Sequence, residues 1–235
     1  MTVLAIESSG LVAGAAIVTE EKVVAEYNVN LKMTHSQTLL PMVDEIVRMS
    51  GTNLEDITAI AVSGGPGSFT GLRIGSATAK GLGLALKKDI VAVPTTQGLA
   101  ANVEGFDGII CPIMDARRSQ VYTGLYRNKD KFEIVMDQDA LSIDELIDKL
   151  NGMNEPVIFV GDGVPVFKQK IDECLKVSHM FIGVNSLYQR AGSLGKRAIE
   201  LFKEGCVQTA AEHAPDYLRL SQAEREKNEA SKHEN

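Results

Sequence analysis

An α/β fold that runs through one βββαβα unit twice is what the 235-residue sequence predicts. Two observations lead there. Short valine- and alanine-rich runs, bounded by glycine or charged punctuation, alternate with longer segments whose apolar residues recur at helical spacing. The alternation has the same order in both halves without obvious sequence identity between them, so the repeat is one of pattern. With 44% hydrophobic residues, the chain can bury a core without staples, at a length that allows one large or two small domains.

The first unit opens with Val3–Ile6, Ala13–Val18 and Val23–Val29, a three-strand meander punctuated by Gly10 and by Glu20 and Glu21. Ser36–Met49 sets Leu39, Leu40, Val43, Ile46 and Val47 at helical spacing and closes at Gly51. Ala59–Ser63 reads as a buried strand. A glycine-rich loop, a helix over Gly71–Leu86 and a strand at Ile90–Val93 complete the unit. The second unit has strands at Ile109–Met114, Val121–Tyr126 and Phe132–Met136. Ser142 and Glu145 then form a capping box, each side chain satisfying the other's free amide, and open a short helix that ends near Asn151. A strand at Val157–Val160 and a helix over Val164–Leu175 follow. Asn185 is placed to cap a long helix striped by Leu187, Ala191, Leu194, Ala198 and Leu201 and stopped at Gly205. Residues 221–235 are polar with no apolar period, the composition of a mobile tail.

Charge and cysteine usage narrow the function. The formal net charge is −7, a poor balance for binding nucleic acid alone, which takes a concentrated basic face. Cys111, Cys174 and Cys206 are odd in number and widely spaced, as expected of reduced thiols. The start lacks the basic and apolar regions of a signal peptide. The apolar run Ile74–Leu86 is too short for a bilayer, which takes about 20 residues. A soluble cytoplasmic protein with no membrane association is expected.

The densest segment is Ser63-Gly64-Gly65-Pro66-Gly67-Ser68-Phe69-Thr70-Gly71-Leu72-Arg73-Ile74-Gly75. It leaves a strand and opens a helix, where free amides and the helix dipole favour an anion. No glycine is followed by Lys-Ser or Lys-Thr, and Gly65-x-Gly67 lacks the third glycine of a dinucleotide fingerprint. Two readings stand level: a tight turn that needs glycine geometry, and a phosphate cradle formed by Glu7, Ser8, Gly65, Gly67, Ser68 and Thr70. The helix that follows carries Gly71, Gly75, Ala79 and Gly83 at every fourth position, a ridge of minimal side chains along which a second helix can pack closely. It faces either the chain's own core or a partner.

Catalytic constellations are lacking. His35, His179, His213 and His233 offer no HExxH and no helical ligand pair, and no Gly-x-Ser-x-Gly elbow anchors a serine hydrolase. His35 reads as a capping or surface residue. Asp115-Ala116-Arg117-Arg118 reads as an internal ion pair.

Taken together, Leu4-Ala5-Ile6-Glu7-Ser8-Ser9, His35-Ser36-Gln37-x-Leu39-Leu40-Pro41, the glycine run through Gly75, Asp115-Ala116-Arg117 with Val121-Tyr122, and Pro215-x-Tyr217-Leu218-Arg219 resemble the bacterial TsaB (YeaZ) family. The likeness spans Leu4 to Arg219. Glu7 stands where many members carry Asp, and Ser9 where Thr is frequent; charge and hydroxyl are kept.

The resemblance implies an actin-like (sugar kinase/Hsp70 superfamily) duplicated fold of two lobes, each a mixed sheet with flanking helices. The lobes would take residues 1–103 and 104–220, with a long helix at 186–204 placed to pack back on the first. It further implies a scaffold role in making N6-threonylcarbamoyladenosine beside the anticodon of tRNAs that read codons beginning with A. The partners would be TsaD, which carries the transfer, and through the complex TsaE, an ATPase. TsaD holds its metal with a His-x-x-x-His pair; at the matching positions this chain has Thr95 and Leu99, neither an imidazole, so no metal is expected. TsaD would dock through His35, Leu39, Met42, Val43 and Ile46 of the first helix and Gly71, Gly75, Ala79 and Gly83 of the second. Without TsaD the same face would form a homodimer. No cofactor is expected on this chain alone, a nucleotide at the TsaD junction stays open, and tRNA contact would be indirect. An actin-like ATPase or small-molecule kinase is the rival reading, and a metallopeptidase a weaker one.

Overall fold

A computed structural model describes residues 1–31 and 34–218; Arg219 and the tail 221–235 lie outside the described residues. Its first half runs β1 (Thr2–Glu7), β2 (Ala13–Thr19), β3 (Val23–Val29), α1 (His35–Ser50), β4 (Ala59–Gly65), α2 (Phe69–Leu86), β5 (Asp89–Pro94) and α3 (Thr95–Ala100). Its second runs β6 (Ile109–Asp115), β7 (Gln120–Asn128), β8 (Phe132–Ser142), α4 (Ile143–Met153), β9 (Val157–Val160), α5 (Val164–Cys174), β10 (His179–Phe181) and α6 (Ala191–Lys203).

The strands form two five-stranded mixed sheets in equivalent order, β3-β2-β1-β4-β5 and β10-β9-β6-β7-β8. In each, the meander is antiparallel, and the two strands beyond it run parallel to the first strand. This is the duplicated actin-like arrangement. Alternation along β1 sends Leu4 and Ile6 to one face, where Leu39, Met42, Val43 and Ile46 of α1 and Ala79 of α2 close the core. Val3 and Ala5 point to the other face, under Ala191, Leu194, Ala198 and Leu201 of α6. The second sheet buries Ile109, Cys111 and Ile113 under α4 and α5, and Ile110, Tyr126 and Ile158 against Leu99 and Ala100 of α3. The helices α3 and α6 thus lie on the inner faces of the two sheets, in contact with each other.

Three elements differ from the sequence reading. The last helix starts at Ala191, and Asn185 sits in a single 3-10 turn, Val184–Ser186. The carbonyls that an earlier start would need are already claimed: Asn102 Nδ2 donates to Ser186 O and Tyr188 O (2.9 and 2.8 Å), and Gly161 N donates to Leu187 O (2.8 Å). Leu187 packs in the second core and is not part of the α6 stripe. The short α3 and the three-residue β10 are not legible in the sequence because each spans less than two full periods of its pattern. The Ser142–Glu145 capping box is present as read.

Candidate docking site and the glycine loop

The loop after β4 is built to let another strand end pass at contact distance. Ser68 N donates to Ser9 O (2.7 Å), and the Ser68 side chain caps α2 by accepting from Gly71 N (3.2 Å). Ser8 Oγ donates to Gly71 O (2.9 Å). A Cβ at position 71 would collide with Ser8 O, one at 67 with Ser9 O, and one at 65 with Asp216 O. Gly65 also takes φ +116°, a region closed to most side chains. These glycines answer the chain's own carbonyls. The Ser68 and Gly71 amides are spent internally, as a tight turn requires, and Thr70 is exposed.

Glu7 and Ser8 are equally engaged. Glu7 is 2% exposed, and its Oε1 accepts from Ser9 N (2.7 Å) and Ser9 Oγ (2.5 Å). Burial pushes its carboxyl above the ordinary value, while the Ser9 and Ser63 hydroxyls pull it back. Gln189, 2% exposed, lays its carboxamide on Gly10 at the turn of the first hairpin. Gln189 thus packs on one side of the hairpin turn, where its carboxamide Nε2 and Oε1 are buried without a hydrogen-bond partner, while Leu11 beside it is 59% exposed.

The ridge of small residues faces inward. Gly75 abuts Ser8 Oγ and Val62, Ala79 is fully buried, and Gly83 lies against Lys88 O and Ala210. On α1, Leu39, Met42, Val43 and Ile46 are 1 to 5% exposed in the same core. His35 Nε2 lies 3.0 Å from Gly10 O, tying the start of α1 to the first hairpin. Leu39, Met42 and Ile46 thus meet the chain's own core, while Val43 also lines a groove beside α1 and α2: spacing finds a stripe, but only the fold says which neighbour it meets.

What the two helices turn outward is also apolar, and the sequence reading missed it. Leu40 is 55% exposed and Leu54 41% exposed. With Pro41, Val43, Val47 and Leu82 they line a groove of about 470 Å³ beside α1 and α2, in which Asp44 is the charged residue. Ala77, Gly81 and Leu84, the last 68% exposed, are also open on α2, on the side turned away from Leu82. An open apolar strip of this kind is a candidate docking surface. The signal was legible: Leu40 and Val47 sit off the buried stripe at positions where a solvent-facing helix would carry charge.

Elsewhere, Thr95 and Leu99 are fully packed in α3, and among the described residues no group of three His, Cys, Asp or Glu could hold a metal ion. Asp115 accepts the Arg117 amide (2.8 Å) in place of the expected ion pair. Asp162, unremarked in the sequence, is pushed up to about 6, chiefly by burial and further by the charge of Asp115.

The sequence and the fold both match known proteins over most of their length. A tRNA threonylcarbamoyladenosine biosynthesis protein TsaB from Bacillus subtilis (strain 168) is 40% identical over 229 residues, 95% of this chain and 96% of its own length. The chain belongs to the TsaB family. Its Escherichia coli (strain K12) member is 31% identical over 93% of this chain and 95% of that protein. The family model described as TsaD, tRNA N6-adenosine threonylcarbamoyltransferase, matches residues 23–227. A solved structure from Pseudomonas aeruginosa, described as similar to peptidase YeaZ, superposes with a TM-score of 0.77 at 25% identity, over 93% of this chain and 99% of that one. Among the described residues no helix is long and apolar enough to cross a membrane.

Proposed function

We propose that this TsaB-family chain is a non-catalytic docking subunit in the biosynthesis of N6-threonylcarbamoyladenosine in tRNA, acting in the cytoplasm. Its partner is TsaD, seated on the outward faces of α1 and α2, with TsaE joining through the complex as the ATPase. The observation that carries this reading is the contrast between two surfaces. The hairpin turn and the glycine loop, where an actin-like enzyme would handle phosphate, are filled by Gln189, Ser8, Ser9 and Asp216. The groove of Leu40, Pro41, Val47, Leu54 and Leu82 is left open. A stable seat there would bury on the order of 1,000 Å² or more in total. In the absence of TsaD, a second copy covers the same face about a two-fold axis. The net charge of −7 keeps tRNA contact indirect. No cofactor belongs to the chain alone; a nucleotide, where one is held, sits at the junction with TsaD. The test is to mix the chain with its TsaD counterpart and measure the mass by sedimentation. A mixed complex that replaces the homodimer is expected. Two species that sediment independently would overturn the reading, and sustained phosphate release by the purified chain would favour an ATPase.

A further inference from the structure

The strand β5 is an edge of the first sheet and β8 an edge of the second. Residues 206–218, which follow α6, connect them. Gln208 exchanges backbone hydrogen bonds with Ile90 (2.8 and 2.9 Å), giving β5 a short partner on its open edge. Thr209 and Glu212 then close a turn, with Thr209 Oγ1 donating to the Glu212 carboxylate (2.8 Å). Lys80 of α2 donates to His213 O (2.8 Å), and Asp216 N donates to Gly64 O (2.7 Å) at the end of β4. Tyr217 lays its ring on Phe69 with centroids 4.7 Å apart, and the Arg73 guanidinium lies 3.9 Å from the Phe69 ring. The Gln208, His213, Asp216 and Tyr217 contacts hold the segment to the first lobe.

One side chain carries it to the second. Gln138 of β8 donates Nε2 to Asp216 Oδ2 at 3.3 Å. Its own Oε1 accepts from Thr96 Oγ1 of α3 (3.1 Å), and Thr96 Oγ1 lies 2.7 Å from Tyr126 Oη of β7. Asp216 therefore has its backbone fixed to β4 and its carboxylate fixed to β8. Parting the two sheets along this seam breaks a bond to a charged acceptor that lies at the exposed rim of the seam.

We propose that residues 206–218 are a latch that sets the position of the two sheets relative to one another, with Asp216 and Gln138 as the catch and the Tyr217–Phe69 stack as the anchor. The inference is independent of the docking proposal, because the catch lies on the seam and not on the outer faces of α1 and α2.

Hydrogen exchange of the full chain tests it. Asp216→Ala removes the catch, whereas Asp216→Asn keeps a side-chain oxygen able to accept from Gln138. In Asp216→Ala, amides of residues 95–100 and 136–140 should exchange about tenfold faster, the factor expected from losing one hydrogen bond to a charged group. Amides of β1 and β9 should stay at the parent rate, and Asp216→Asn should restore most of the seam protection. Gln138→Leu, which leaves every contact of the segment with the first lobe intact, should reproduce the Asp216→Ala pattern and serves if Asp216→Ala does not fold. Unchanged seam exchange in Asp216→Ala and Gln138→Leu would overturn the latch. So would an equal rise in Asp216→Asn, or a uniform rise that includes β1 and β9.

Discussion

Gly71 and Gly81 occupy the same helix and predict opposite responses to a single methyl group. In a free helix interior, Gly→Ala gains up to about 1 kcal/mol by removing backbone entropy from the unfolded chain. Gly81 is exposed with nothing within 4 Å of an added Cβ, so Gly81→Ala should realise that gain. Gly71 has the Ser8 carbonyl oxygen where the methyl would go. That carbonyl cannot swing aside, because Ser8 Oγ is bonded to Gly71 O and Ser9 O to Ser68 N. Overpacking of this kind typically costs about 1–3 kcal/mol, occasionally more. Gly71→Ala should therefore lie roughly 2–4 kcal/mol below Gly81→Ala in urea unfolding. At about 2–4 °C per kcal/mol for a chain of this size, their thermal midpoints should differ by at least about 4 °C. Equal stability of the two variants would refute the assignment of the glycine loop as a packing turn, and would reopen the phosphate reading.

Other outcomes follow from buried groups. Asp162 has a folded value above its unfolded one, so its contribution is intact below the ordinary carboxylate range and is lost as pH rises through about 6. Its Oδ1 is buried without a hydrogen-bond partner, so Asp162→Asn should stabilise the chain at pH 8 by on the order of 2 kcal/mol and change little near pH 4; calorimetry across that range checks both. His213 is held below the ordinary imidazole value by burial and by Lys80, so its contribution is complete above that value and declines as pH falls through it. His213→Gln should flatten the drop in thermal midpoint between about pH 7 and pH 5. Burial pushes the Cys111 thiol up to about 12, while Cys174 and Cys206 are exposed. A thiol reagent at neutral pH should therefore modify Cys174 and Cys206 promptly in the native state and reach Cys111 only on unfolding.

How far the sequence is legible can be judged from particular residues. The strands of both meanders, α1, α2 and the Ser142–Glu145 capping box are visible because their signals are local: alternation, helical period and a reciprocal cap. The start of α6 was misplaced because Asn102, 83 positions before Asn185, decides which carbonyls are free to join the helix. The small ridge of α2 is legible as a period, but the element it packs against is not, for the same reason. The contact that explains Gly71 and Gly75 is Ser8, more than 60 residues away. A period shows that one side of a helix is smooth and says nothing about which element lies on it. The open groove could have been read from Leu40, Pro41 and Val47, had the apolar residues left over from the buried stripe been weighed as a second face.

The central claim is that the outward faces of α1 and α2 seat a partner. The direct measurement is association of Leu40→Asp and Leu54→Asp with TsaD and with themselves, by sedimentation, alongside the melting temperature. Leu40 and Leu54 are exposed and line the open groove. Melting should therefore stay close to that of the parent, since exposed substitutions usually change stability by about 0.5 kcal/mol or less. Association should weaken by roughly ten- to a hundredfold, the effect of a carboxylate forced into an apolar seat. Unchanged affinity in both variants, with melting intact, would contradict the account and move the docking surface elsewhere on the molecule.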